Sequence, residues 1–257
     1  MDFISATILG AIEGLTEFLP ISSTGHLILA SRLMHLPATT FQSTFEISIQ
    51  LGAILAVVWL FWRQLFLSRE TFQKVVVAFV PTMIIGFGLY KIFKSFLAGN
   101  TAVTIGALFL GGVFLIGFEY WYQKRGVAEV ATSDISYRQA VILGLCQSLA
   151  IVPGVSRSAA TIIGGLGMKI KRETIVEFSF LLAIPTMAAA TAYDLYKTAP
   201  SFSDNQFDLL SVGFLVSFLV ALVAVKFLIQ YVQKNNFTAF GWYRIILAIL
   251  AYFIFFF

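Results

Sequence analysis

Charge is what this chain has least of. Lys, Arg, Asp and Glu together make up 12% of 257 residues, about half the share of an ordinary soluble domain. Cysteine is nearly absent too. Cys146 stands alone, which excludes an internal disulfide and any cysteine-based zinc site. It lies in an apolar stretch and reads as packing. The net charge is only +4, too small to argue for a nucleic-acid partner; in so apolar a chain it reports loop topology instead. The first residues carry no basic n-region and no small-residue cleavage site before Glu13, so the N-terminus is expected to be part of the fold.

What is abundant is apolar sequence. Hydrophobic residues reach 59%, with a mean hydropathy of +0.89. They fall in runs near the length needed to cross a bilayer. Six full spans are expected, at 45–64, 74–93, 101–122, 173–197, 208–231 and 240–257. This predicts an all-α polytopic membrane protein, with residues 1–257 forming one integral membrane domain and no soluble domain left over.

Two further apolar regions, 2–36 and 138–168, are each interrupted by Pro, Gly and Ser. Their halves are too short to span. They read as re-entrant helix hairpins, whose irregular backbone is tolerated only inside protein or beside a wet cavity. A shift of 134 aligns them. Ala6-Thr7-Ile8-Leu9-Gly10 then matches Ala140-Val141-Ile142-Leu143-Gly144, Glu13 falls on Gln147, and Ser22 falls on Ser156. The expected architecture is therefore a hairpin followed by three spans, twice: repeat 1 at about 1–123 and repeat 2 at about 135–257. An odd number of spans per repeat turns the second copy upside down, as in transporter-like folds.

Basic residues set the expected orientation. Alternating the spans puts twelve Lys and Arg, Arg63 and Lys171 among them, on one side and Arg32, Lys91, Lys94 and Lys197 on the other. The first side is expected to be cytoplasmic. Both termini and the mouth of the first hairpin then face outward.

The polar residues concentrate in the two breaks, and polar groups at membrane depth are costly enough to mark function. Glu13 and Glu17 share a helix face one turn apart. A cation between them would relieve their repulsion, and Mg²⁺ or Ca²⁺ suits an all-oxygen site completed by phosphate. Ser22, Ser23 and Thr24 precede a second helix, where hydroxyls and free N–H groups make an anion site. One serine, or a water, is the candidate nucleophile, with His26 or Glu17 to take the proton or His26 to orient a glutamate; His35 lies in a loop-like context and reads as structural. In the second break, Arg157 offers the planar fork that matches two phosphate oxygens. Ser156, Ser158 and Thr161 add donors beside it. Glu46, Gln50 and Glu177 in later spans are expected to brace this centre. Carboxylate metal ligands facing an anion clamp describe phosphoryl transfer.

These residues resemble the undecaprenyl-diphosphate phosphatase family of the bacitracin-resistance type. The likeness is carried by Glu13-Gly14-Leu15-Thr16-Glu17-Phe18-Leu19-Pro20 with Ser22-Ser23-Thr24-Gly25-His26, and by Pro153-Gly154-Val155-Ser156-Arg157-Ser158 with Thr161. Phe45-Glu46, Gln50-Leu51-Gly52 and Glu177-Phe178-Ser179-Phe180-Leu181-Leu182 add to it, along essentially the whole chain. The resemblance implies hydrolysis of undecaprenyl diphosphate at the outer face of the bacterial inner membrane, recycling the peptidoglycan lipid carrier and conferring bacitracin resistance. It implies Mg²⁺ or Ca²⁺ on Glu13 and Glu17, Ser23 and His26 as nucleophile and base candidates, and Arg157 as the phosphate clamp. Undecaprenyl diphosphate and membrane lipids are the implied partners; a homodimer stays an open option. The rival function is a transporter or flippase of undecaprenyl phosphate or a related anionic lipid, which inverted repeats favour equally.

Overall fold

A computed structural model of the chain describes residues 1–96, 100–125, 134–198 and 202–257. Among these there is no strand. Eleven helices follow one another: α1 Phe3–Thr16, α2 Ser23–Leu33, α3 Thr40–Ser48, α4 Gln50–Leu67, α5 Arg69–Phe96, α6 Thr101–Lys124, α7 Tyr137–Ser148, α8 Arg157–Gly167, α9 Arg172–Thr198, α10 Asp204–Val232 and α11 Thr238–Phe256. Six helical segments are long and apolar enough to cross a membrane: Thr40–Leu67, Arg69–Leu89, Thr101–Lys124, Arg172–Lys197, Asn205–Val232 and Thr238–Phe256. They correspond one for one to the six expected spans; α3 runs into α4 through Ile49, which keeps helical dihedrals, and α4 kinks at Phe61.

The two interrupted regions form short helices. α1 starts on Asp2, whose side chain accepts from the Ser5 N–H. α7 starts on Ser136, capped reciprocally with Gln139. Both caps satisfy donors that helix starts leave open. Beyond α1 the chain is non-helical until Ser22; beyond α7 it passes through one 3₁₀ turn, Leu149–Ile151, before Ser156. Ser22 and Ser156 are the N-caps of α2 and α8. Each sits at positive φ, 72° and 71°, and each Oγ accepts from the backbone N–H three residues on. Left-handed φ is strained for a serine. The other positive-φ residues that are not glycine, among the described residues, are His35 and Lys169, at the ends of the same two helices. All four therefore occur as two pairs 134 residues apart.

Packing follows the same exchange. α1 lies against α10, and α7 against α5. Close approach needs a glycine in each case. A Cβ on Gly10 would lie 2.5 Å from the carbonyl oxygen of Gly213 in α10, and one on Gly144 would lie 2.0 Å from that of Ala78 in α5. α4 and α9 cross at the centre, α4 also packs on α10 and α9 on α5, and α6 pairs with α11. The main core gathers Phe18, Phe61, Phe180, Phe237 and their aliphatic neighbours. Large apolar side chains such as Trp59, Ile84, Phe87 and Leu110 are exposed, as an acyl-chain environment permits.

Candidate active site

The two breaks meet. Ser158 Oγ of the second donates to the carbonyl of Leu19 in the first, at 2.9 Å. Arg244, seven residues into α11, ties both together. Its guanidinium donates to the carbonyls of Pro20, Gly154, Val155, Ala107 and Leu108, at 2.8–3.3 Å. It is 1% exposed. Gly111 makes room for it: a Cβ there would sit 2.0 Å from Arg244 Nη2. Non-helical carbonyls in a membrane protein must find donors inside the protein, and Arg244 supplies them. Sequence reasoning counted this residue among the loop charges. The signal that would have found it is an arginine set well inside an apolar span.

The centre of the site is the Glu17 carboxylate, buried at the end of α1. Oε1 accepts from Arg157 Nε at 3.2 Å and Nη2 at 3.1 Å. Oε2 accepts from the hydroxyl of Ser23. Nη1 of Arg157 donates to the carbonyl of Ser179 at 2.8 Å, and the guanidinium lies over the Phe18 ring at 5.9 Å. Ser23 and Arg157 are each the first residue of a helix, α2 and α8. They are 134 residues apart in sequence, yet they converge on one carboxylate.

A cavity of about 240 Å³ opens against this cluster, lined by Glu17, Ser22, Ser23, Thr24, Ser156 and Arg157 on one side. Thr82, Gln147, Ser148 and Thr186 face them, and Gly86, Met187 and Ala190 continue the wall. Gln50 lines it as well. Helix starts at Ser23 and Arg157 turn free N–H groups and the positive ends of two helix dipoles toward the same region. An anion is the ligand that such a cavity suits.

Other expected residues are placed differently. His26 does not reach Ser23. Its Nδ1 donates to the carbonyl of Ser22 at 2.8 Å, and its Nε2 meets the Tyr243 hydroxyl at 2.8 Å. It therefore holds the strained cap of α2 and packs flat on Tyr243. Thr161 Oγ1 turns back to the carbonyl of Arg157. Glu46 accepts from Ser31 and Gln42. Glu177 lines a separate cavity with Gln64, Lys74 and Asp134. Neither glutamate touches the Glu17 centre. The cavity wall from α5, α7 and α9 was missed. Its signals were the paired Pro81-Thr82 and Pro185-Thr186 inside spans, and Gln147 as the residue aligned with Glu13.

Glu13 is fully buried, and neither of its carboxylate oxygens accepts a hydrogen bond. A buried carboxylate without partners is costly unless a cation or proton compensates it. Among the described residues no group of three or more His, Cys, Asp and Glu is arranged to hold a metal. The protein therefore offers one or two carboxylates, which matches the way Mg²⁺ is held when substrate phosphate and water complete its shell. The unpartnered oxygens of Glu13 are the donors such a cation would take up.

Comparison with known proteins places the chain in a family. A model of the bacitracin resistance protein BacA family matches residues 6–250. A protein of Aquifex aeolicus named undecaprenyl-diphosphatase is 46% identical over 252 residues, 97% of this chain and 98% of its own. Proteins of the same name from Sulfurihydrogenibium sp. and Wolinella succinogenes are each 47% identical, over 98% and 97% of this chain and 99% and 97% of theirs. With the match running through both breaks and all six spans, the chain belongs to the BacA bacitracin-resistance protein family.

Proposed function

We propose that this protein hydrolyses undecaprenyl diphosphate to undecaprenyl phosphate and inorganic phosphate, at the outer face of the inner membrane. The observation that carries the reading is the convergence of Ser23 and Arg157 on Glu17 at the wall of one cavity. The relatives' name supplies the substrate. Regenerating the monophosphate carrier serves peptidoglycan synthesis and opposes bacitracin.

The diphosphate enters with its terminal phosphate toward Arg157, whose fork neutralises two oxygens. Ser23 Oγ attacks the terminal phosphorus, and its proton passes to Glu17, the carboxylate it already bonds. The bond from phosphorus to the bridging oxygen breaks, and undecaprenyl phosphate leaves. Water then hydrolyses the phosphoserine, with Glu17 returning its proton. Glu13 and Glu17 would hold Mg²⁺ or Ca²⁺, which supplies positive charge toward the phosphate oxygens. His26 positions Ser22, and through it the start of α2.

Two re-entrant hairpins and an inverted repeat, of about 1–123 and 135–257, are part of the same proposal. Its support is the paired positive-φ residues, the paired N-caps Asp2 and Ser136, and the exchanged packing of α1 on α10 and α7 on α5. The loop charges support outward termini and an outward mouth for the first hairpin. Arg244, buried against the breaks, drops out of that charge count.

The test is phosphate release from undecaprenyl diphosphate by the purified protein, with and without chelator. Release by the wild type, lost in Arg157→Ala and Glu17→Gln, supports the reading. Full release from either variant sinks it. Movement of undecaprenyl phosphate across proteoliposomes without any phosphate release would favour the flippase instead.

A further inference from the structure

The cavity is too small to enclose its substrate. Pockets that enclose drug-sized ligands run from about 300 Å³ upward; this one holds about 240 Å³. A diphosphate at the Arg157 end leaves no room for a long isoprenoid, so the tail has to leave sideways. The cavity wall shows where. Thr82 and Gly86 are one turn apart on α5, and Thr186 and Ala190 one turn apart on α9. Both lines run from hydroxyls to small apolar residues. The space at Gly86 is open: a Cβ there would meet nothing within 4 Å.

The surroundings of that opening are apolar and outward-facing. Ile84 is 62% exposed and Phe87 69%. Phe87 of α5, next to Gly86, and Tyr193 of α9, one turn after Ala190, meet edge to face at 5.8 Å, bridging the two helices. Gly86 lies 17 residues beyond Arg69, about 25 Å along α5 by helical rise, within a hydrocarbon layer about 30 Å thick. The cavity also holds an unsatisfied group. Gln147, 2% exposed, bonds Thr82 Oγ1 through Nε2 at 3.2 Å, while its Oε1 has no hydrogen-bond partner. It lines the same cavity as Arg157 and Gly86, and its free Oε1 is an acceptor, suited to a donor such as water rather than to a phosphate oxygen.

We propose that the isoprenoid tail leaves the cavity between α5 and α9, through the slot at Gly86 and Ala190, with the Phe87–Tyr193 pair as its rim. This rests on the phosphatase reading above. The first isoprene units lie against Gly86, Met187 and Ala190, and the rest of the tail lies in the bilayer. The absence of a side chain at Gly86 is then what admits the substrate.

The experiment fills the slot. Gly86→Leu places a side chain in open space on a helix, so the fold tolerates it; Gly88→Leu, also open but outside the cavity, is the control. Steady-state phosphate release is measured on undecaprenyl and farnesyl diphosphate, with thermal melting in detergent as the check on folding. Gly86→Leu is expected to raise KM for both substrates at least roughly tenfold, with Gly88→Leu within about twofold of wild type. A photoreactive group on the first isoprene unit is expected to label α5 or α9. A folded Gly86→Leu with unchanged KM, or labelling confined to α6 and α11, where Ile105, Phe109, Ile249 and Phe253 line an apolar groove, overturns the slot while leaving the phosphatase standing. Wild-type protein that releases no phosphate overturns the reading beneath it.

Discussion

The first break, Glu17 to Ser22, and the second, Leu149 to Ser156, begin from the same backbone. Each ends on a serine near φ 70° that caps the next helix through its own hydroxyl. Each is preceded by a glycine that lets its helix approach a long neighbour, Gly10 or Gly144. The side chains then part company. Glu13 stands where the second has Gln147, Glu17 where it has Ile151, and Ser23 where it has Arg157. Backbone and packing repeat because they answer one problem, carrying unpaired carbonyls and N–H groups into a membrane. The chemistry does not repeat, because a phosphoryl-transfer site needs an acid-bearing half and a cationic half.

The most severe test of that division removes one half at its contact point. Arg157→Ala is expected to lower kcat/KM by roughly 10²–10³, the cost of losing one preorganised charge partner in the transition state. Arg157→Lys is expected to recover part of the loss, since a lysine keeps the charge without the fork. Equal activity in both variants would show that the planar geometry is unused.

Structure comes next. Gly10→Leu and Gly144→Leu each force a side chain into a carbonyl of the facing helix. Each is expected to cost about 1–3 kcal/mol or more by overpacking, read as a lower melting temperature in detergent. Similar losses are expected, because the two contacts are alike. A loss at one site only would break the likeness. Arg244→Met leaves three carbonyls of the breaks, those of Pro20, Gly154 and Val155, without their donor. It is expected to destabilise by roughly 3 kcal/mol or more, at about 1–3 for each group left dry.

A subtler change gives the first half the second half's residue. Glu13→Gln is expected to fold, since Gln147 is accommodated at the aligned position. Added Mg²⁺ is expected to raise the melting temperature of the wild type and not that of this variant, because binding to the folded state alone raises stability. An unchanged rise would remove Glu13 from the cation site.

The smallest effect lies far from the breaks. Lys74, bonded to Asp134 at 3.0 Å, holds the Asp134 carboxyl below its ordinary value. A depressed carboxylate contributes stability at pH above its unfolded value, near 3.9, and loses it as pH falls through the folded one. Melting measured from pH 6 down to pH 3 is expected to fall slightly less in Asp134→Asn than in wild type. Identical slopes would remove the pair from the acid response.

Much of this was legible in the chain. The six spans follow from runs of apolar residues whose length the bilayer fixes. Glu17, Ser23 and Arg157 were legible because ionisable groups are rare where they are costly. Less legible were residues whose meaning depends on a neighbour. His26 lies three residues from Ser23 and reads as its base, yet the turn of α2 points it to Tyr243. Glu177 looks like a brace and sits beside Lys74 and Asp134 instead. Thr82, Gly86 and Thr186 are ordinary residues of apolar helices until α5 and α9 enclose a cavity between them.

Composition and period alone settled the helical class, the number of spans and the two breaks, because the cost of exposing backbone and charge to lipid is paid locally, residue by residue. The tertiary structure alone decided that Ser23 and Arg157 would share Glu17, that Arg244 would hold both breaks, and that a glycine on α5 would face the site. Those relations join residues up to 224 apart in sequence, Pro20 and Arg244 among them. Only the packing of helices brings such groups within bonding distance.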